Sequence, residues 1–352
     1  MSAADATGSG VDSAGPYFNL RVADVIEETH DSKSIVLDVP GELADRFAYV
    51  SGQFLSFRVE VGGQRLVRCY SLASAPGLDA AHKVTVKRVV DGRASNWMND
   101  AVSVGDTLEV MPPNGVFVLE DRETPIVLFS GGSGITPCIS ILKTALAKTS
   151  RSIKLVYANR DDQSVIFKDE LSQLLSANAD RLEITHRLDD VHGFVDAALV
   201  VQEIGPRTDA DFYICGPGPF MDVVEAGLGS LNIPAGQIHI ERFESPDTPG
   251  AESSAPVETS GDLVVTVALD GKETDIALGD GETILAAARR EGLEPPFACE
   301  EAYCGCCMAK VTAGEVEMLM NDGGIDQRQI DEGWVLTCQA VCKGTARVEY
   351  PD

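Results

Sequence analysis

Six of the nine cysteines lie within a stretch of 44 residues near the end of the chain. Three follow the pattern Cys299-x4-Cys304-x2-Cys307, and Cys338 comes after thirty intervening residues. With this spacing, three thiolates on one loop and a distant fourth hold a 2Fe-2S cluster. A four-cysteine zinc site is the alternative, but zinc ribbons use paired C-x2-C knuckles and this segment has one. We predict that these four cysteines bind the cluster, and we interpret Cys306 and Cys342 as packing or surface thiols.

A second candidate site is the glycine-rich segment GGSGITP, residues 131–137, between the apolar run PIVLFS and the helical pattern CISILKTALAK. Such a turn brings a pyrophosphate to a helix N-terminus, where free N–H groups and the helix dipole favour an anion. We expect Thr136 to be the N-cap and Pro137 to be the first helical residue. The segment is neither G-x-G-x-x-G nor a P-loop, so a purely structural glycine turn is the alternative.

Two shorter motifs combine residue types that bind nucleotides. In the strand-like RCYSL, residues 68–72, alternation places Arg68 and Tyr70 on one face and Cys69 and Ser71 on the other. A cation beside an aromatic ring can hold a phosphate and stack a flat ring system, although core packing also explains a strand tyrosine. The segment CGPGP at 215–219 follows the strand DFYI and places a thiol where parallel sheets bind ligands.

Three kinds of sequence pattern position these motifs and predict a multidomain protein. Short strands separated by Gly, Pro and Asp predict an antiparallel β-barrel at 17–120, and strand-helix alternation predicts an α/β parallel-sheet domain at 121–243. A hairpin around Asp270-Gly271 and a short helix closed by Gly292 predict a small α+β domain at 261–352. Polar residues 1–16 predict a disordered start, and the Pro- and Ser-rich residues 244–260 predict a linker.

The charge balance excludes some partners. The formal net charge is −27, and residues 244–352 carry 22 acidic and 7 basic residues. Nucleic-acid binding needs a basic surface, so we expect no nucleic-acid partner. An acidic body suits docking on a basic protein, although it also serves solubility. No apolar run has the length of a membrane span, and the start lacks a signal-peptide pattern, so we expect a cytoplasmic protein without a membrane partner.

The order of these motifs resembles the ferredoxin-NADP reductase superfamily with a C-terminal plant-type ferredoxin, over about residues 17–352. Within it the chain is most similar to reductase components of 3-ketosteroid 9α-hydroxylase, and the tail EVEMLMNDGGIDQRQIDEGWVLTCQA carries much of that similarity. Reductase subunits of phenylacetyl-CoA epoxidase are close behind. The resemblance implies an FAD-binding barrel, an NAD(P)H-binding α/β domain and a β-grasp 2Fe-2S domain.

The resemblance also assigns residues, each to the position that matches a family motif. It implies that Arg68 binds the FAD pyrophosphate, Tyr70 the isoalloxazine ring, and Ser71 the region of flavin N5. The remaining matches to the FAD segments are Val86, Lys87, Gly92, Ser95, Glu241 and Phe243. The matches to the nicotinamide-nucleotide site are Gly132, Gly134, Thr136, Cys215, Gly216 and Pro217. Ser71 and Cys215 are implied to be catalytic, because they lie near the hydride path.

Electron counting then gives the mechanism. A nicotinamide gives two electrons as a hydride and an iron-sulfur cluster accepts one at a time, so a flavin must lie between them. We predict a reductase that passes electrons from NAD(P)H through FAD and the cluster to a terminal oxygenase, most closely a Rieske-type 3-ketosteroid 9α-hydroxylase. The alternatives are a di-iron phenylacetyl-CoA epoxidase partner, or a standalone redox carrier or sensor. In the segment Asn159-Arg160-Asp161-Asp162, the arginine suits the 2′-phosphate of NADPH whereas the two carboxylates repel it. The family resemblance favours NADH, with NADPH possible.

Overall fold

The structure is a computed structural model that describes residues 17–243, 259–297, 300, 302, 305–321, 324–325 and 327–351. The predicted disordered start at 1–16 lies outside these residues, as does the predicted linker except for its last two residues. Two predicted cluster ligands, Cys299 and Cys304, also lie outside them. Within the described ranges, no helix has both the length and the apolarity that a membrane span requires.

The first domain is the predicted antiparallel barrel. Its elements are β1 (Phe18–Thr29), β2 (Ser32–Asp38), β3 (Phe54–Val61), β4 (Gln64–Ser71), β5 (His82–Lys87), α1 (Arg93–Asp100) and β6 (Thr107–Val110). The strand order is β4-β3-β6-β1-β2-β5, and a bridge from Leu72 to Val84 connects the two outer strands. Alternating apolar residues such as Leu20, Val22 and Phe57 fill the interior, as the period-2 pattern predicts.

The second domain is the predicted parallel α/β sheet. Its elements are β7 (Ile126–Gly131), α2 (Ile135–Lys148), β8 (Ile153–Asn159), α3 (Lys168–Ala177), β9 (Leu182–Leu188), α4 (Asp189–His192), α5 (Ala197–Ile204), β10 (Asp211–Gly216), α6 (Gly218–Ser230) and β11 (Ile238–Arg242). In the strand order β11-β10-β7-β8-β9 all strands are parallel. From β7 the chain adds β8 and β9 on one side and then β10 and β11 on the other, so the switch point lies between β7 and β10. Every residue of β7, β8 and β10 is buried, because helices cover both faces of the sheet.

The third domain is the predicted small α+β unit. Its elements are β12 (Thr259–Leu269), β13 (Lys272–Gly279), α7 (Ile284–Arg290), β14 (Met308–Ala313), β15 (Val316–Met318), α8 (Gln327–Asp331), β16 (Trp334–Leu336), β17 (Ala340–Cys342) and β18 (Ala346–Glu349). The predicted hairpin is present: Asp270 and Gly271 have φ values of 49° and 70°, as a type I′ turn requires. The predicted helix is α7, capped by Thr283 and followed by Gly292 at φ 78°.

Candidate functional site

The glycine-rich turn and the CGP segment meet at the point where the parallel sheet reverses its strand order. The turn follows β7, CGP follows β10, and these strands are neighbours. A Cβ on Gly134 would lie 2.1 Å from the carbonyl oxygen of Cys215, and one on Gly216 would lie 3.0 Å from Gly131 Cα. Glycine is therefore required for the two backbones to pack together. This switch point is where open α/β sheets bind their ligands.

The start of α2 differs from the prediction. The helix begins at Ile135 with Gly134 as its N-cap, so Thr136 and Pro137 lie inside the first turn. The 3-10 turn of Gly132–Gly134 runs directly into the helix, and the Thr136 hydroxyl donates to the Ser133 carbonyl at 3.0 Å. The prediction that Thr136 is the N-cap was wrong, because the 3-10 turn leads into the helix and α2 therefore begins before Thr136. Thr136 is nevertheless in the first turn of α2, beside the same N-terminus.

Ser71, Cys215 and Glu241 come together at the boundary between the first two domains. The Ser71 hydroxyl, at the end of β4, donates to Glu241 Oε2 at 3.3 Å. Glu241 on β11 pairs in register with Cys215 on β10. All three side chains are buried. Burial raises the pKa of Glu241 to about 8, and burial followed by the nearby Glu241 raises the pKa of the Cys215 thiol. The group is therefore dry and largely uncharged at neutral pH.

Four arginines line a cleft of about 310 Å³ between the barrel and the third domain. Arg65 and Arg68 come from β4 and Arg93 begins α1, whereas Arg289 comes from α7. Arg289 also pairs with Glu300 at 2.9 Å. Guanidinium groups are suited to bind phosphate oxygens in pairs. The donor set of this cleft therefore fits a diphosphate such as that of FAD. The sequence motifs predict Arg68 alone, because three separate elements and two domains form the cleft.

The aromatic ring of the RCYS motif lies on the barrel side of β4. The Tyr70 ring meets the Phe57 ring edge-on with centroids 5.7 Å apart, and it is partly buried against the barrel core. Ser71 faces the nucleotide domain instead, through its bond to Glu241. The predicted alternation of faces along this strand is confirmed for these two residues.

The second predicted FAD segment lies around β5 and the start of α1. The Val86 side chain is buried in the barrel core, and its carbonyl accepts from Asn99 Nδ2 at 3.1 Å. Lys87 Nζ lies 3.9 Å from Asp31 Oδ2, and a Cβ on Gly132 would lie 3.8 Å from Nζ. Lys87 thus holds its charge near the glycine-rich turn. Gly92 is the N-cap of α1, and Ser95 Oγ accepts from Val89 N at 3.2 Å.

The last matched residue of the FAD segments, Phe243, directly follows β11. Its side chain is 42% exposed, unlike the buried side chain of nearby Glu241. An exposed aromatic ring two residues after Glu241 can contact a flat ligand.

Two of the predicted iron-sulfur ligands, Cys307 and Cys338, are among the described residues and are buried. They belong to one apolar core of the third domain together with Phe297 and Leu336. Thr337 donates from both its N–H and its hydroxyl to the Cys307 carbonyl, at 3.1 and 2.8 Å, which joins the two ligand segments. Gly305 has φ 71°, and a Cβ there would lie 2.7 Å from the Gly324 carbonyl oxygen. Buried thiols on a loop tightened by glycine fit an iron-sulfur cluster.

The segment between the predicted ligands Cys304 and Cys307, the cluster loop, contacts the barrel through the sulfur of Cys306. Cys306 Sγ lies 3.0 Å from Cys69 Sγ, and Ser56 Oγ lies 3.2 Å from each sulfur. Cys69 and Ser71 share the outward face of β4. One short strand segment therefore contacts the cluster loop through Cys69 and the group of Glu241 and Cys215 through Ser71. The sequence predicts a packing or surface thiol at Cys306, and this thiol is indeed buried, but against a different domain.

Comparison with known families agrees with all three domains. The chain matches the profiles of the oxidoreductase FAD-binding domain over residues 19–119, the oxidoreductase NAD-binding domain over 128–226, and the 2Fe-2S iron-sulfur cluster binding domain over 267–343. It is 42% identical to the ferredoxin reductase component of 3-ketosteroid-9-alpha-monooxygenase from Rhodococcus rhodochrous, over 91% of this chain and 93% of that protein. The chain belongs to the family of oxygenase reductases. The predicted fold class and the predicted oxidoreductase class are therefore confirmed.

Two further members show the breadth of this oxygenase reductase family. A component of 1,2-phenylacetyl-CoA epoxidase from Escherichia coli is 35% identical over 92% of this chain and 95% of that protein. The solved structure of phthalate dioxygenase reductase, described as a modular structure for electron transfer from pyridine nucleotides to [2Fe-2S], matches with a TM-score of 0.60 and 26% identity. That match covers 95% of this chain and 98% of the other. The three-domain architecture of this chain is thus shared with phthalate dioxygenase reductase.

Proposed function

We propose that this reductase carries electrons from NADH through FAD and a 2Fe-2S cluster to a terminal oxygenase of the 3-ketosteroid 9α-hydroxylating type. One observation supports the electron route: Cys69 and Ser71, two neighbouring residues on the outward face of β4, contact the other two domains. Ser71 bonds to Glu241 at 3.3 Å, beside Cys215, and Cys69 lies 3.0 Å from Cys306, next to the cluster ligand Cys307. The strand that carries the FAD motif therefore lies between the nucleotide crevice and the cluster loop.

In this proposal the arginine cleft holds the FAD pyrophosphate. Arg68 binds it directly, and Arg65, Arg93 and Arg289 line the same cleft. Tyr70 would contact the flavin ring, and Ser71 and Cys215 would lie near its reactive part. A bound flavin would supply a hydride acceptor that can release electrons one at a time. Because Ser71, Cys215 and Glu241 are buried, they exclude water from that edge.

The nucleotide enters at the switch point. The helix dipole at the start of α2 favours its pyrophosphate, and Lys87 adds a positive charge near Gly132 of the glycine-rich turn. Gly134 and Gly216 act through their backbones, which pack closely against the facing turn, and Gly132 and Pro217 adjoin them in the two turns. Cys215 lies at the sheet edge between these two turns, where the nicotinamide must approach.

The preference for NADH follows from contacts at the end of β8. Arg160 Nε donates to Asp161 Oδ2 at 2.9 Å, and its NH2 group donates to Ser164 Oγ at 2.9 Å. Hydrogen bonds from Ser164, and then from Arg160, lower the pKa of Asp161 to about 2. The Arg160 guanidinium is thus hydrogen-bonded to the charged Asp161 carboxylate. A 2′-phosphate has to compete with that carboxylate, whereas a 2′-hydroxyl does not.

The oxygenase partner is inferred from the relatives and from charge. Four relatives named as reductase components of 3-ketosteroid-9-alpha-monooxygenase are 40–42% identical to this chain, against 35% for the epoxidase component. Residues 244–352 carry 22 acidic and 7 basic residues. Opposite surface fields speed the encounter of two proteins, so we infer a basic surface on the partner around its electron-entry site.

Reconstitution tests this partner assignment. The reductase is mixed with a purified Rieske-type steroid oxygenase or with a di-iron phenylacetyl-CoA epoxidase, and NADH oxidation and product are measured with each substrate. We expect substrate-dependent NADH oxidation and hydroxylated steroid in the first mixture only. Coupled product in the epoxidase mixture alone would reverse the assignment. A mixture with cytochrome c is the control that the reductase itself is active.

A further inference from the structure

Two thiols from different domains lie in contact beside the predicted cluster. Cys69 belongs to β4 of the barrel and Cys306 to the cluster loop, 237 positions apart in sequence, with sulfurs 3.0 Å apart. An S–S bond requires these sulfurs to move together by about 1 Å. Neither thiol belongs to the C-x4-C-x2-C ligand pattern, and the predicted electron route uses neither as a ligand.

The surroundings hold this pair in place. Cys306 is 2% exposed and packs with Tyr17, Phe54 and Val67 of the barrel. Cys69 packs at the border of the same cluster and is more exposed than Cys306. Ser56 Oγ, 3.2 Å from both sulfurs, fills the space beside them. A loop residue of the third domain is thus buried inside a pocket of the first, where its sulfur meets a second sulfur.

Two polar contacts between these two domains near the pair are exposed or long. Arg65 NH1 lies 3.2 Å from Asp270 Oδ1, and both side chains are largely exposed. Asn114 Nδ2 donates to the Gly324 carbonyl at 3.4 Å. Exposed ion pairs add little stability because water and salt screen them. A covalent bond between Cys69 and Cys306 would therefore restrain the cluster loop more strongly than either polar contact.

We propose that Cys69 and Cys306 form a reversible disulfide that fastens the cluster loop to the FAD-binding barrel. The oxidant is a low-molecular-weight disulfide such as oxidised glutathione. The thiolate of Cys69, the more exposed partner, attacks one glutathione sulfur and releases one glutathione thiolate. Cys306 loses its proton and displaces the second glutathione from Cys69. The two protein thiols are oxidised to a disulfide, and the glutathione disulfide is reduced to two thiols that take up the protons.

The consequence for electron transfer rests on the proposed function. The fastened loop stays next to β4, so electrons still pass within the chain from NADH to the cluster. A protein acceptor needs access to the cluster loop, and the disulfide holds that loop against the barrel. Oxidation therefore separates internal electron transfer, which continues, from delivery to a protein acceptor, which stops.

Peptide mapping of the oxidised holoprotein tests the disulfide itself. With its cluster bound, the protein is treated with oxidised glutathione, denatured in acid with an alkylating agent and digested with trypsin. We expect residues 69–83 joined to residues 291–310, at a mass lighter by two hydrogen atoms than the two peptides. Cys69→Ala and Cys306→Ala should each remove this product, and Cys342→Ala, a buried thiol elsewhere in the third domain, should retain it. Absence of the joined peptide, or Cys306 joined to Cys307 instead, overturns the proposal.

Acceptor assays test the consequence separately. Oxidised wild type should lose NADH-dependent reduction of cytochrome c while retaining reduction of ferricyanide, and dithiothreitol should restore the lost activity. In Cys69→Ala the ratio of the two activities should be the same before and after this oxidation. Unchanged cytochrome c reduction in protein that contains the joined peptide refutes the consequence. If the proposed function is wrong, NADH fails to reduce the flavin in untreated protein, and the peptide map still decides the disulfide.

Discussion

Replacing Glu241 by glutamine tests the electrostatics of the group at the boundary between the FAD-binding and nucleotide domains. Glutamine has nearly the same shape, and its amide oxygen can accept the hydrogen bond that Ser71 donates at 3.3 Å. The change therefore removes the titration of the carboxyl group and little else. Stability as a function of pH reports that titration directly, because native and unfolded chains release this proton at different pH values.

The magnitude follows from the pKa. Burial raises the pKa of Glu241 from the ordinary 4.5 to about 8. The native chain keeps this proton where the unfolded chain has lost it, so its contribution to stability is complete below pH 4.5 and falls as pH rises until the native group also ionises. At about 1.4 kcal/mol per pH unit, the free energy of unfolding is lower than at acid pH by about 1 kcal/mol at pH 5 and by about 5 kcal/mol near pH 9. Wild type should lose about 4 kcal/mol between these pH values through this group, and Glu241→Gln should not.

The assay is urea unfolding of flavin-free protein at a series of pH values, followed by far-ultraviolet circular dichroism. In the described residues most helical segments belong to the nucleotide domain that contains Glu241, so this signal reports the relevant unfolding. Removing the flavin prevents ligand binding from adding to the measured stability. Glu42→Gln, at an exposed carboxyl, is the matched control. A constant stability difference between wild type and Glu241→Gln from pH 5 to pH 9 would refute the burial argument.

Four other predictions test the cofactor sites and the partner. Arg68→Gln should weaken FAD binding by about 10- to 150-fold, since a charged hydrogen bond contributes about 1.5–3 kcal/mol. Fluorescence titration measures this affinity, and an unchanged value would contradict the prediction. Cys304→Ser should abolish oxygenase turnover and spare NADH-ferricyanide activity, with Cys342→Ser as control; equal loss of both activities in FAD-loaded protein would count against the route. NADPH should give a kcat/KM at least about tenfold below that of NADH, roughly 1.4 kcal/mol. A roughly tenfold preference for NADPH would show instead that Arg160 leaves Asp161 and binds the 2′-phosphate. Oxygenase coupling should fall as salt rises from about 20 to about 300 mM, through a higher apparent KM, and a flat profile would favour solubility as the role of the acidic residues.

The fold could be predicted because its signals are local. Alternating strands, the Asp270-Gly271 turn and the strand-helix alternation after residue 125 each depend on neighbouring residues. The start of α2 was placed two residues late, because Thr136 and Pro137 are typical of helix starts, and the preceding 3-10 turn has no sequence signal of its own.

The site could be predicted only where one segment carries it. Arg68, Ser71 and Cys215 belong to short motifs, and each lies at a domain boundary in the structure. Arg289 and the pairing of Cys69 with Cys306 depend on how separate domains pack, and no spacing in the sequence encodes that contact. A cysteine inside each of two motifs was a visible signal, but sequence alone could not bring them together.

Anaerobic titration with NADH tests the central claim that one chain carries electrons from nicotinamide to cluster. Purified protein, loaded with one FAD and one cluster, is mixed with NADH without any acceptor, and the flavin and cluster absorption bands are followed together with the electron paramagnetic resonance signal. We predict that NADH alone bleaches both bands and produces the signal of a reduced 2Fe-2S cluster. Bleaching of the flavin with a cluster that stays oxidised would contradict the account, as would metal analysis that finds zinc in place of iron.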